Sequence, residues 1–223
     1  MRAEEEEVDT VRALEALASS SSSVRLRAAL AVGTAADPRC VDTLIERCAV
    51  EPDFHVRDML TWALTRHPSS VTVPKLVEAL GSERAQARSQ ALHTLSKVGD
   101  RQAWPAITRA LLTDPDDEVA RSAWRAAVVL VPEGAASGLA EVLVTQLGRG
   151  GRETQLSLSR ALVALGEAVA LPVLGAAMTD ADPRVRQHAI ATERLVRDPD
   201  AGFGFAVEEA KRIMVLGTSA REE

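Results

Sequence analysis

About every 31 residues this chain returns to the same pattern, and that period limits what it can fold into more than any other feature. The stretch PKLVEALGSERAQARSQALHTLSKVG, from Pro74 to Gly99, comes back as PAITRALLTDPDDEVARSAWRAAVVL from Pro105 and as PVLGAAMTDADPRVRQHAIATERL from Pro172. A fixed period of this size specifies a row of like units, each packed against its neighbours, in place of one central core. Such a row offers long surfaces and few deep pockets.

Aligning the units on the residue after a recurring valine gives the anchors Arg25, Arg57, Arg88, Ala120, Gln155 and Arg186. Three residues on stand Ala28, Leu60, Ala91, Ala123, Leu158 and Ala189. Seven on stand Val32, Leu64, Leu95, Ala127, Leu162 and Glu193. These offsets share one helical face, and that face is small or apolar except at Glu193, in the last unit. A second helix follows, led by Pro74, Pro105 and Pro172 in register and carrying Leu44, Leu76, Ile107, Leu139 and Leu174. Proline is tolerated in a first turn, which is where these are expected. Polar turns such as EPD (51–53), DPDD (114–117) and DADP (180–183) separate the helices, and their acids can cap the next one. Period-two alternation is absent, so no strands are expected. The expectation is an all-α chain of thirteen helices in a single domain over 1–223. It has six pairs, at 4–35, 38–66, 71–98, 101–131, 135–165 and 168–196, and a closing helix at 203–216.

A Pro-x-Leu helix, an acidic turn and a Val-Arg-x-x-Ala helix resemble the HEAT repeat, in the compact form first described in phycobilisome lyases. DADPRVRQHAI (180–190) and EPDFHVR (51–57) carry the resemblance. It implies a right-handed α-solenoid with the Val-Arg helices lining the concave face. It also implies that Arg25, Arg57, Arg88 and Arg186 are structural, bonded to turn aspartates and carbonyls. The fifth unit departs, with Thr154-Gln155 in place of Val-Arg.

No motif for catalysis, metal or cofactor binding emerges. His93 and His188 lie three units apart and His55 and His67 at opposite ends of one helix, so none of the four is expected to share a metal. Cys40 and Cys48 fall at core positions and make no disulfide framework. The serines at 19–23 read as a turn ending in a helix cap. Gly148-Arg149-Gly150-Gly151-Arg152 reads as a longer turn, with a hinge or a partner contact as the alternatives. The net charge of −6 argues against a general nucleic-acid binder. Neither a membrane span nor a secretory leader is visible, so a cytoplasmic protein is expected.

One row breaks the generic pattern. One residue past the anchors stand Leu26, Asp58, Ser89, Arg121, Leu156 and Gln187, and five past stand Leu30, Trp62, His93, Arg125, Arg160 and Ala191; Leu26, Leu30, Trp62, His93, Arg121, Arg125 and Arg160 are the candidate partner-binding ridge. The ridge runs from apolar to cationic, and Trp and Arg are the residue types enriched in binding hot spots. Trp124, beside Arg125, is expected half buried between units. The competing reading has Trp62 packing on the adjacent helix and the arginines pairing with local acids. The function expected is a non-enzymatic scaffold that takes a partner helix or acidic segment along the concave face. Alternatives drawn from similar repeat folds are an alkylpurine-type DNA glycosylase and a bilin lyase.

Overall fold

The computed structural model describes residues 2–199, and every regular element among them is helical. The expected closing helix at 203–216 lies outside the described residues. The helices gather into two compact units that part between Ile107 and Thr108.

The first unit holds α1 (Arg2–Ala16), α2 (Ser22–Ala35), α3 (Val41–Cys48), α4 (Phe54–Thr65), α5 (Ser69–Ala79) and α6 (Ala85–Val98), with short 3-10 turns at Pro38–Cys40 and Arg101–Ala106. The second holds α7 (Arg109–Leu112), α8 (Asp117–Leu130), α9 (Ala136–Val144), α10 (Arg152–Ala164), α11 (Glu167–Ala177) and α12 (Pro183–Arg197). Within the first unit the Val-Arg helices α2, α4 and α6 pack side by side, with α3 and α5 in a second layer. The second unit repeats this, with α8, α10 and α12 in one layer and α7, α9 and α11 in the other.

Burial follows the register. The residues three past the anchors (Ala28, Leu60, Ala91, Ala123, Leu158, Ala189) are all buried, as are Leu44, Leu76, Ile107, Leu139 and Leu174 of the second layer. Apolar area leaving water at these positions supplies the main driving force, about 25 cal/mol per Å².

The turns repeat one hydrogen-bonding unit. In Glu51-Pro52-Asp53, Asp114-Pro115-Asp116 and Asp180-Ala181-Asp182, the first acid accepts the backbone N–H of the second, at 3.0, 2.9 and 2.8 Å. The second acid caps the following helix: Asp53 accepts from His55 and Val56, Asp116 from Glu118 and Val119, and Asp182 from Arg184. This satisfies donors that a helix start leaves unpaired. Ser21 holds the corresponding position before α2 but makes no side-chain cap bond; its hydroxyl lies 3.0 Å from that of Ser23.

Three expectations are corrected. Pro74 and Pro172 do not open their helices. α5 begins at Ser69 and α11 at Glu167, so both prolines lie inside, on exposed positions where the carbonyl left without a donor can meet solvent. The expected helix from 101 is broken. Arg101–Ala106 is 3-10, Ile107 leaves helical space at φ −81°, ψ 81°, and only the single turn of α7 follows. Pro105 has no N–H to continue a helical ladder, and the Thr108 hydroxyl accepts from the Leu111 N–H at 3.4 Å. Trp124 is fully buried, its indole N–H donating to the Leu112 carbonyl at 2.8 Å.

Candidate functional site

On the first unit, Leu26 and Leu30 of α2 and Trp62 of α4 lie along the packed Val-Arg helices, with half-buried His93 on α6. Leu30 is 45% exposed and Trp62 37%, and part of the indole lies against α2 at Gly33. Gly33 makes that cover possible. A methyl group at Gly33 would stand 2.6 Å from the Trp62 ring and 2.7 Å from the Ala63 Cα. The glycine is therefore a notch into which α4 and its tryptophan settle. The Arg66 guanidinium lies 5.9 Å from the Trp62 ring centroid, a cation–π arrangement.

Sequence reasoning missed two exposed residues of α4 and its end. Arg66 falls nine residues past its anchor, in the same row as Lys97, and both are exposed. Phe54, at the start of α4, is 65% exposed; His55 meets its ring edge-on and Arg57 lies 5.9 Å from its centroid. The signal for Arg66 was its register. Phe54 gave none, since a first-turn aromatic reads equally well as a packing residue.

On the second unit the three ridge arginines differ. Arg121 of α8 binds Glu118 at 2.8 Å and Glu153 of α10 at 3.3 Å, so local acids engage it; its Nε is buried without a partner. Arg125 is exposed and bonds the Ser122 hydroxyl at 3.1 Å. Desolvation, with the nearby positive charge of Arg121, pulls the Arg125 pKa below the ordinary arginine value; Glu118 offsets this in part. Arg160 of α10 is exposed and makes no ion pair among the described residues.

The anchor arginines serve the turns. Arg25, Arg57, Arg88 and Arg186 each donate through Nη1 to two carbonyls of the turn preceding their own helix: Ser19 and Ser20, Glu51 and Pro52, Ser82 and Glu83, Asp180 and Ala181. Gln155 makes a weaker equivalent to Gly150 at 3.4 Å. Ala120 has no side chain to reach with. Arg149 from the glycine-rich turn supplies the bond instead, donating to the Asp114 carbonyl at 2.5 Å and to the Asp117 carboxylate at 2.9 Å.

Two buried polar centres went unread in the sequence. Glu51, with no exposed surface, accepts from Arg25 through both carboxylate oxygens at 2.7 Å, and from Arg47 and the Asp53 N–H. Burial would raise its pKa, but these donors more than reverse that and hold it at about 2. In the second unit, buried His188 accepts the Gly148 N–H on Nδ1 at 3.0 Å, so its other nitrogen carries the proton. Nε2 lies 3.0 Å from both the Gln155 carbonyl and the Ser159 hydroxyl, which in turn meets Thr192 at 2.7 Å. Burial pushes the His188 pKa down to about 4, the Gln155 carbonyl opposing. A serine beside a histidine suggests nucleophilic chemistry, but Ser159 is fully buried and no substrate reaches it.

Among the described residues no three His, Cys, Asp or Glu side chains are placed to share a metal ion. Cys40 and Cys48 are buried and unbridged, and burial pushes the Cys48 thiol up to about 12. No helix among the described residues is long and apolar enough to cross a membrane.

A family model described as HEAT repeats matches residues 10–87 and again 51–128, together more than half of the chain. No curated protein matches the sequence. Among solved structures, an engineered protein is 21% identical over 85% of this chain and 98% of its own, with a TM-score of 0.48. The CpcE–CpcF complex of phycocyanin lyase from Nostoc is 20% identical over 81% and 74%, with a TM-score of 0.46. Human deoxyhypusine hydroxylase in complex with glycerol is 16% identical over 94% and 97%, with a TM-score of 0.49.

Proposed function

This chain belongs to the HEAT-repeat proteins, and from that premise we propose that it is a non-enzymatic interaction scaffold whose Val-Arg helices receive a segment of a partner protein. On the first unit the surface of Leu26, Leu30 and Trp62 takes apolar side chains of a partner helix; the arginines of the second unit form a separate surface for acidic groups.

The observation that carries this reading is the position of Trp62. A tryptophan needed only for packing would be enclosed, as Trp124 is. Trp62 instead rests one part of its ring on the Gly33 notch, keeps 37% of its surface open beside exposed Leu30, and carries Arg66 over the ring. Large rigid aromatics presented this way dominate binding energy out of proportion to their area. Arg66 and Lys97 flank the apolar row with positive charge, which favours a partner helix with acidic residues beside its apolar stripe.

The test is affinity capture from native lysate with the wild-type chain and with a Leu30→Ala, Trp62→Ala double variant, circular dichroism confirming equal helicity. Both side chains are partly solvated, so the fold is expected to survive. Loss of the specifically captured proteins is the expected result; an unchanged set would remove this surface from the function.

A further inference from the structure

We infer that Arg125 and Arg160 together form a recognition site for a phosphorylated side chain, presented by a segment of a partner protein. The inference rests on the scaffold reading and gives the basic part of it a specific chemistry. It stands on a different unit from the Trp62 surface, so the two can fail separately.

The argument begins with register. Arg125 and Arg160 occupy the same offset in successive units, on α8 and α10, which pack against each other. Packed helices run about 8–10 Å apart. Two arginine side chains from such positions span that gap easily and can converge on one group between them.

The second step is charge. The acids of this face, Glu118 and Glu153, both turn to Arg121. Arg125 is left with the Ser122 hydroxyl, and Arg160 meets no carboxylate among the described residues. Arg125 meets the positive charge of Arg121, which Glu118 offsets only in part. The partial dehydration that lowers the Arg125 pKa adds to this cost. An incoming anion relieves both.

The third step selects the anion. A carboxylate has two oxygens and one charge, and one guanidinium fork satisfies it. A phosphate monoester has three terminal oxygens and a charge of about −1.5 to −2 at neutral pH, so it can be shared by two forks. Two forks without a carboxylate partner on neighbouring helices therefore match a phosphoryl group better than a single carboxylate. Arg121 is held by its two glutamates and does not compete for the ligand, so the positive charge of the site comes from Arg125 and Arg160.

The experiment follows the Nε–H resonances of the full-length protein by NMR at constant ionic strength. The probes are a short alanine-rich peptide carrying one phosphoserine, the same peptide with glutamate there, and inorganic phosphate. The phosphoserine peptide is expected to shift the Arg125 and Arg160 signals together and saturably. It should bind about tenfold more tightly than either other probe, a difference in line with the added charge-assisted bonds. Arg160→Gln should abolish the response of Arg125, and Arg125→Gln that of Arg160. Arg160→Lys, which keeps the charge and loses the fork, should recover only part of the affinity. Thermal unfolding should be unchanged in Arg160→Gln, since that side chain is exposed.

Equal affinity for the glutamate peptide would make this an acidic-segment site and overturn the proposal. Equal affinity for inorganic phosphate would reduce it to a free-ion site. No saturable shift, or a shift untouched by both glutamine variants, would remove it altogether. None of these results would affect capture through Trp62, and loss of that capture would leave these titrations as they stand.

Discussion

Glu51 is where a single side chain matters most to the first unit. Taking a carboxylate fully out of water is costly, and it is tolerated here because five donor contacts meet it: two from Arg25, two from Arg47 and one from the Asp53 N–H. The group ties α2 to the α3–α4 turn, and Gln86 of α6 reaches the Glu51 carbonyl at 2.8 Å. Removing one partner of a buried ion pair strands the other, so Glu51→Ala is expected to cost about 3–5 kcal/mol, read as a lower denaturation midpoint in urea. A fall of less than 1 kcal/mol would mean that the arginines find water instead. Gly33 is the complementary case, where the absence of a side chain is what counts. Gly33→Ala places a methyl against the Ala63 backbone and the Trp62 ring, so α2 and α4 must separate. Overpacking of this kind costs about 1–3 kcal/mol. The Trp62 emission should move as its ring is lifted into water, in a background where Trp104 and Trp124 are replaced by phenylalanine. Unmoved emission would show that the notch is not what seats the ring.

At the scale of the helix and its turn, the repeat keeps a function even where it loses the residue that performs it. Four units use their own anchor arginine to hold the two carbonyls before the Val-Arg helix, one uses a glutamine, and α8 borrows Arg149 from the turn ahead of α10. The longer spacing of that unit has a structural reason. The loop carries Gly148 and Gly150 at φ of 78° and 64°, and those conformations bring the Arg149 guanidinium back to Asp114 and Asp117. Arg149→Ala is expected to cost about 1.5–3 kcal/mol, the worth of hydrogen bonds to charged groups, and to raise amide exchange in the first turn of α8. Equal exchange in the variant would make the bond dispensable. The helices and their core faces were legible in the sequence because a repeat shows its register several times over: Leu44, Leu76, Ile107, Leu139 and Leu174 confirm one another. What breaks the repeat was not legible. The division of the 101–112 segment depends on Pro105 acting with the Thr108 cap, while Pro74 and Pro172 sit inside intact helices, so proline alone does not distinguish them. On the candidate surface, the ridge positions of Trp62 and Arg125 could be placed by counting. The capture of Arg121 by Glu118 and Glu153 depends on rotamers and on a contact across helices, which spacing does not encode.

For the whole molecule, the two units carry different acid-sensitive centres, and this predicts an order of unfolding on acidification. In the second unit His188 must stay neutral, because its Nδ1 accepts the Gly148 N–H and its ring is enclosed. The unfolded chain takes up a proton near the ordinary histidine value of 6.5, and the folded chain resists until about 4. Between those values the unfolded state binds more protons, so stability falls as pH falls, by roughly 3 kcal/mol in total. The first unit also holds a buried histidine, His67, whose pKa burial lowers, so that unit too loses some stability below the ordinary histidine value. What sets it apart is Glu51, which must stay ionised. Its folded pKa of about 2 lies below the ordinary 4.5, so its contribution is complete above 4.5 and is lost as pH drops toward 2. The windows barely overlap. Hydrogen exchange followed by mass spectrometry from pH 7 downward should therefore show α10, α12 and the 148–151 turn losing protection first, between about pH 6.5 and 4. After correction for the intrinsic pH dependence of exchange, α2 and the Glu51 turn at the start of α4 should keep most of their protection until the pH is below about 4.5. His188→Gln removes the titrating group and should flatten the first phase without moving the second. If α2 and α4 open first, or if both regions open together at one pH, then His188 and Glu51 do not govern the acid response of their units.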